Sequence, residues 1–111
     1  MKTIIGGRKT GKTTELIKMA AENNKYILVP DRHRALILDK MAKDMGLQIP
    51  FPITLLEIAQ PMRGSFIKDI YVDEAITVLT DLIYRNTGFV ISAVTISSDD
   101  IMLLDPEKKH E

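Results

Sequence analysis

Gly6-Gly7-Arg8-Lys9-Thr10-Gly11-Lys12-Thr13 decides the fold of this chain, because it follows the apolar run Thr3-Ile4-Ile5 directly and leads into a helical pattern. The spacing is G-x-x-x-x-G-K-[ST] with every fixed position filled. Gly6 and Gly11 allow φ > 0 and a close approach of backbone to ligand, which turns successive N–H groups around residues 9–13 into one concavity. Such a concavity binds an anion. The helix that begins at about Gly11 adds its positive end, and Lys12 adds a full charge.

The anion that suits this cradle is a polyphosphate. Residues Gly6, Gly7, Arg8, Lys9, Thr10, Gly11, Lys12, Thr13 and Thr14 are the expected binding set. The loop would hold the β-phosphate, Lys12 would reach the β- and γ-phosphates, Thr13 would offer its hydroxyl to Mg²⁺ and Thr14 would meet an α-phosphate oxygen. ATP or another nucleoside triphosphate, with Mg²⁺, is the expected ligand.

Composition narrows the rest. Lys+Arg and Asp+Glu both number 15 in 111 residues, so net charge gives no support for nonspecific binding to nucleic acid or a membrane. The chain has no Cys, which excludes disulfides, thiol catalysis and Cys-based zinc sites. His33 and His110 are far apart and form no metal-ligand pattern. No apolar stretch has the length that spans a bilayer, and the chain enters a strand at its start rather than a signal-type apolar region. A cytoplasmic protein is expected, with one nucleotide-binding domain over residues 1–104 and a polar tail over 105–111.

Outward from the loop, strands and helices alternate. Lys2–Ile5 reads as a first strand, short and apolar as a parallel strand covered on both faces must be. A helix follows with Leu16, Ile17, Ala20 and Ala21 on its buried side, stopped by Asn23-Asn24. Residues 26–29 form the second strand; Pro30 ends it and Asp31 caps a helix to Met45, with Leu38, Met41, Ala42 and Met45 as its stripe and Gly46 as its stop. Pro50 and Pro52 restrict the next strand, near Ile53, to an edge, before a helical turn over 55–59 and a loop over 61–65. Residues 66–72 are a further strand. A helix over 74–84 presents Ala75, Ile76, Leu79, Leu82 and Ile83 on one face and ends at Asn86-Thr87-Gly88. Residues 89–96 read as a strand, 97–100 as a turn and 101–104 as a last short strand. The fold expected is α/β, a three-layer sandwich with a mostly parallel sheet of four to five strands.

Ile70-Tyr71-Val72-Asp73-Glu74 is the second informative stretch. Apolar strand residues run into two adjacent carboxylates at the carboxyl end of a parallel strand, where an α/β sheet opens its ligand crevice. Asp73 is placed to hold Mg²⁺, and Glu74 to take a proton from water attacking a γ-phosphate. The plainer reading makes Asp73 the cap of the next helix and Glu74 a complement to its dipole.

Residues 6–13 resemble the Walker A motif of P-loop NTPases, and residues 70–74 resemble a Walker B motif of the class with a glutamate after the aspartate. That class comprises RecA-like, helicase-like and AAA-type ATPases. The resemblance implies a minimal RecA-like core in which the strand at 89–96 separates the two motif strands. It implies a γ-phosphate sensor at the end of that strand, with Thr95 the first candidate and Ser97 and Ser98 behind it. It also implies a catalytic arginine. Arg8, Arg32, Arg34, Arg63 and Arg85 sit in no recognisable motif and read as surface charges, so a partner or a second copy of the chain is expected to donate one. In layout the chain is similar to small ATPase-like proteins encoded by phages. Residues 11–17 are also similar to the start of thymidine kinases, although their Cys-based zinc segment has no counterpart here. The function expected is a Mg-dependent ATPase in which Lys12 and Glu74 do the catalytic work. The alternatives are a nucleotide-binding adaptor of a larger, DNA-processing machine and, behind it, a nucleoside kinase.

Overall fold

The computed structural model describes residues 1–7, 11–58 and 68–104. Arg8, Lys9, Thr10, Arg63, His110 and the tail at 105–111 lie outside them, as do parts of the expected turn at 55–59 and strand at 66–72. The order is β1 (Lys2–Ile5), α1 (Lys12–Asn23), β2 (Ile27–Val29), α2 (Arg32–Asp44), β3 (Ile53–Thr54), α3 (Leu55–Ile58), β4 (Tyr71–Val72), α4 (Ala75–Thr87) and β5 (Asp100–Leu103). The fold is α/β with parallel pairing throughout. Two small sheets carry it, one ordered β3-β2-β4 and the other β1-β5.

β2 organises the core because its alternate side chains enter two different clusters. Ile27 and Val29 pack with Ile17 and Ala20 of α1 and with Ala35, Leu38 and Ala42 of α2. Leu28 points the other way, to Ile53, Leu55 and Val78. A strand covered on both faces must be apolar at every position, and this one is buried at all three.

Helix ends follow local chemistry. Asp31 accepts from Arg34 N–H at 2.9 Å and so caps α2, while Asn24, at φ 54°, closes α1 in the left-handed conformation. α2 stops in a Schellman motif: Leu47 N–H bonds Ala42 C=O at 2.9 Å and Gly46 N–H bonds Lys43 C=O at 3.0 Å. Gly46 supplies the φ of 71° that this stop requires. Thr54 and Glu57 form a reciprocal capping box at α3, with Thr54 N–H donating to Glu57 Oε1 at 3.0 Å and Glu57 N–H to Thr54 Oγ1 at 3.3 Å.

Two expectations change. Residues 89–96 belong to no strand, so no ladder joins the two sheets through that segment. An apolar run becomes a strand only where neighbouring backbone meets its donors and acceptors, and Phe89, Val90, Val94 and Ile96 are all exposed. α4 buries Val78, while Ala75, Ile76, Leu79 and Leu82 remain exposed. Residues 100–103, by contrast, pair along the whole of β1, with Lys2 opposite Asp100 and Ile5 opposite Leu103. Ser98 secures that junction by donating to Met1 C=O at 3.0 Å, just ahead of β5.

Candidate phosphate and metal site

Parallel strands place their carboxyl ends on one edge, and the residues with useful chemistry follow those ends. α1 starts just beyond β1, α2 just beyond β2, and Asp73 stands one residue beyond β4. Because α1 begins after β1 but packs its Ile17 and Ala20 against β2, the loop of one sheet is carried to the edge of the other.

There three side chains close a ring. Thr13 Oγ1 donates to Asp73 Oδ1 at 3.1 Å, Arg34 Nε donates to Asp73 Oδ2 at 2.8 Å, and Arg34 Nη2 donates to Thr13 Oγ1 at 2.9 Å. Asp73 is only 4% exposed. A carboxylate so buried needs both oxygens satisfied, and here one hydroxyl and one guanidinium satisfy them. Its backbone is fixed too, since Asp73 N–H extends the β2 ladder by bonding Leu28 C=O at 3.0 Å. Arg34 is aimed from the first turn of α2 by the Asp31 cap, which holds its own N–H.

Asp73 is therefore not the cap of α4. That position belongs to Glu74, which takes a left-handed conformation, φ 56° and ψ 56°, and makes no side-chain bond to the helix it begins. A left-handed glutamate costs about 1–2 kcal/mol, and its exposed side chain recovers none of it through capping. Strain at one residue beside a buried carboxylate is a feature typical of sites rather than of scaffolds.

The loop itself is only partly described. Gly11 has φ 88° as the N-cap of α1, whereas Gly6 is not among the residues with positive φ. Of the two fixed glycines, Gly11 takes the left-handed conformation expected at the start of α1. Lys12 Nζ folds back over the loop and donates to Gly7 C=O at 2.6 Å. Thr14 is half-buried in the first turn of α1. Arg8, Lys9 and Thr10 of the expected cradle lie outside the described residues.

Other expected participants stand elsewhere. Thr95 is exposed on the segment that joins no strand, and it is not part of the ring of Thr13, Arg34 and Asp73. Arg32 lies over the Phe51 ring, 5.5 Å from its centroid, and Arg85 sits in the last turn of α4, where a cation complements the helix dipole. Arg34, read from the sequence as a surface charge, is the arginine that joins the site among the described residues. Its only signal was position: three residues past a helix cap at the carboxyl end of a parallel strand.

No protein-family model matches the chain, and neither a characterised protein nor a solved structure matches it significantly.

Among the described residues no three His, Asp or Glu side chains gather as a protein-only metal cage. Magnesium held mainly by nucleotide phosphates and water needs only one or two protein oxygens, and Thr13 with Asp73 provides a hard hydroxyl and a carboxylate in contact. The guanidinium of Arg34 already balances charge at that spot. These residues fit a hard divalent cation.

Proposed function

We propose that this chain is a small P-loop nucleotide-binding protein on a minimal RecA-like core, and that it hydrolyses ATP to ADP and phosphate with Mg²⁺. The observation that carries the reading is the contact between Thr13 and Asp73, 60 residues apart in sequence and 3.1 Å apart in space. A metal-nucleotide site needs that hydroxyl and that carboxylate together, and the loop spacing and the acidic strand end were recognisable independently.

Each residue has a definable task. Amides at the start of α1 would bind phosphate oxygens, helped by the helix dipole. Lys12, now on Gly7 C=O, would exchange that carbonyl for a phosphate oxygen and take up charge as the γ-phosphate departs. Thr13 and Asp73 would hold the metal, which supplies charge neutralisation between the β- and γ-phosphates. Glu74, exposed and next to Asp73, would orient the attacking water and accept its proton. The bond that forms joins water oxygen to phosphorus, and the bond that breaks releases ADP.

A second reading, an adaptor that binds nucleotide and acts through a protein partner, draws on a different observation. Ile76, Leu79, Leu82, Phe89, Val90 and Leu103 are all exposed apolar residues in the C-terminal part. Exposed apolar surface of this kind is typical of protein contacts.

Calorimetry with ATP, ADP and GTP beside a phosphate-release assay tests the proposal and separates the two. Lys12→Ala is expected to abolish nucleotide binding. Glu74→Gln is expected to keep binding and lower turnover about 10²–10⁴-fold. Tight binding without phosphate release by the unaltered chain would favour the adaptor, and unchanged turnover in Glu74→Gln would remove the base assigned here.

A further inference from the structure

We propose that Arg34 is a built-in counter-cation, holding Thr13 and Asp73 together in the nucleotide-free site and surrendering both when Mg²⁺ arrives with nucleotide; this rests on the nucleotide-binding reading above. Thr13 Oγ1 spends its hydrogen on Asp73 Oδ1 and accepts from Arg34 Nη2 through one of its two lone pairs, so a metal on that oxygen would sit against a full positive charge. Asp73 Oδ2 is likewise the acceptor of Arg34 Nε. The guanidinium thus touches an oxygen of each residue that would hold the metal, and two cations so close repel each other.

The arrangement also explains why a carboxylate survives buried in the absence of metal. An unpaired carboxylate at this depth carries a heavy desolvation penalty, which Arg34 offsets. Lys12 is engaged with Gly7 C=O, so Arg34 is the cation that contacts Asp73 among the described residues. Asp73 is held rigidly by its backbone bond to β2, whereas the Arg34 side chain remains 29% exposed at the helix start. The arginine is the partner with a path away. Exchange therefore needs only a rotation of the Arg34 side chain, with the Asp31 cap and α2 left in place.

The exchange predicts a measurable competition. Binding of a slowly hydrolysed, fluorescent ATP analogue is titrated with MgCl₂ in the unaltered chain, in Arg34→Gln and in Arg34→Lys. Arg34→Gln is expected to lower the magnesium concentration for half-maximal binding about two- to fivefold, the worth of a partly exposed ion pair, and to lower the melting temperature of the nucleotide-free protein. Arg34→Lys, which keeps the charge, is expected to bring both values back towards those of the unaltered chain. ¹⁵N-edited NMR of the Arg34 Nε–H group, assigned by its loss in Arg34→Gln, is expected to shift and exchange faster with solvent once metal and nucleotide are both bound. A purely structural salt bridge would leave the magnesium midpoint and the Nε–H signal where they were, and that result would overturn the exchange while leaving nucleotide binding intact. Failure of the unaltered chain to bind the analogue at any magnesium concentration would overturn both readings together.

Discussion

Helices α2 and α4 are each 13 residues long and α4 is the more apolar in sequence, yet α2 is the one that buries more of its side chains. α2 buries Ala35, Leu38 and Ala42, opens on an Asp31 cap and closes on a Schellman turn. α4 buries only Val78 and opens on a strained Glu74 that caps nothing. The difference lies in the partner surface. β2 offers Ile27 and Val29 to α1 and α2, while on its other face Leu28 alone meets the cluster that includes Val78. Hydrophobic periodicity says which face of a helix can be buried; it does not supply the surface that buries it.

The largest test of that contrast is a pair of truncations read by denaturant unfolding. Leu38→Ala, in the fully buried cluster, is expected to cost about 2–5 kcal/mol. Leu82→Ala on α4 is expected to cost no more than about 0.5 kcal/mol, as an exposed position should. Equal losses at the two sites would mean that α4 is packed in solution, and the contrast would be gone.

The caps give the next effect. Asp31→Ala removes the bond to Arg34 N–H and is expected to destabilise by about 1 kcal/mol. It also loosens the turn that aims Arg34 at Asp73, so the magnesium midpoint for nucleotide binding is expected to move in the same direction as in Arg34→Gln. A stability loss with no change in the midpoint would separate the cap from the site. At α4 the sign reverses. Glu74→Gly relieves the left-handed strain of about 1–2 kcal/mol but adds freedom to the unfolded chain. The variant is expected to be as stable as the unaltered protein to within about 1 kcal/mol, and Glu74→Ala, which keeps the strain, to be less stable than Glu74→Gly. The reverse order would show that Glu74 owes its conformation to its side chain.

Much of this was legible in the sequence where the cause is local. Asp31, Asn24, Gly46 and Gly88 mark helix ends because capping and left-handed closure depend on a few adjacent atoms. A last short strand near 101–104 and an edge strand near Ile53 were anticipated from a short apolar run and from flanking prolines, and the fold pairs the first, as residues 100–103, with β1. Thr13 and Asp73 were recognisable by residue type, and the fold brings them into contact. Arg34 was not, since an arginine in the first turn of a helix looks like any solvated charge until the strand beside it delivers a carboxylate. Residues 89–96 have strand composition but no strand, because ladder bonds depend on neighbours that composition does not specify. Thr54 and Glu57 had the spacing of a capping box in plain view, and only the turn that it starts was read.

The smallest expected effect tests how the well-packed part is tied to the strand before the site. Lys25, just ahead of β2, donates to Asp69 at 2.7 Å, just ahead of β4, and the two are partly and largely exposed. The Asp69 hydrogen bond holds the Lys25 ammonium above the ordinary lysine range; desolvation opposes it, and the charge of Asp69 adds less than either. A group whose pKa is raised by folding contributes stability that is fully present below its unfolded value and is lost as pH rises through the folded one. The stability difference between the unaltered chain and Lys25→Met is therefore expected to be slight and flat through neutral pH, and to close as the pH climbs past about 10.4. It is also expected to shrink in high salt, as an exposed pair must. A difference that survived high salt and alkaline pH would mean that the Lys25 stem packs rather than pairs, and the tie between β2 and β4 would then belong to the hydrophobic core.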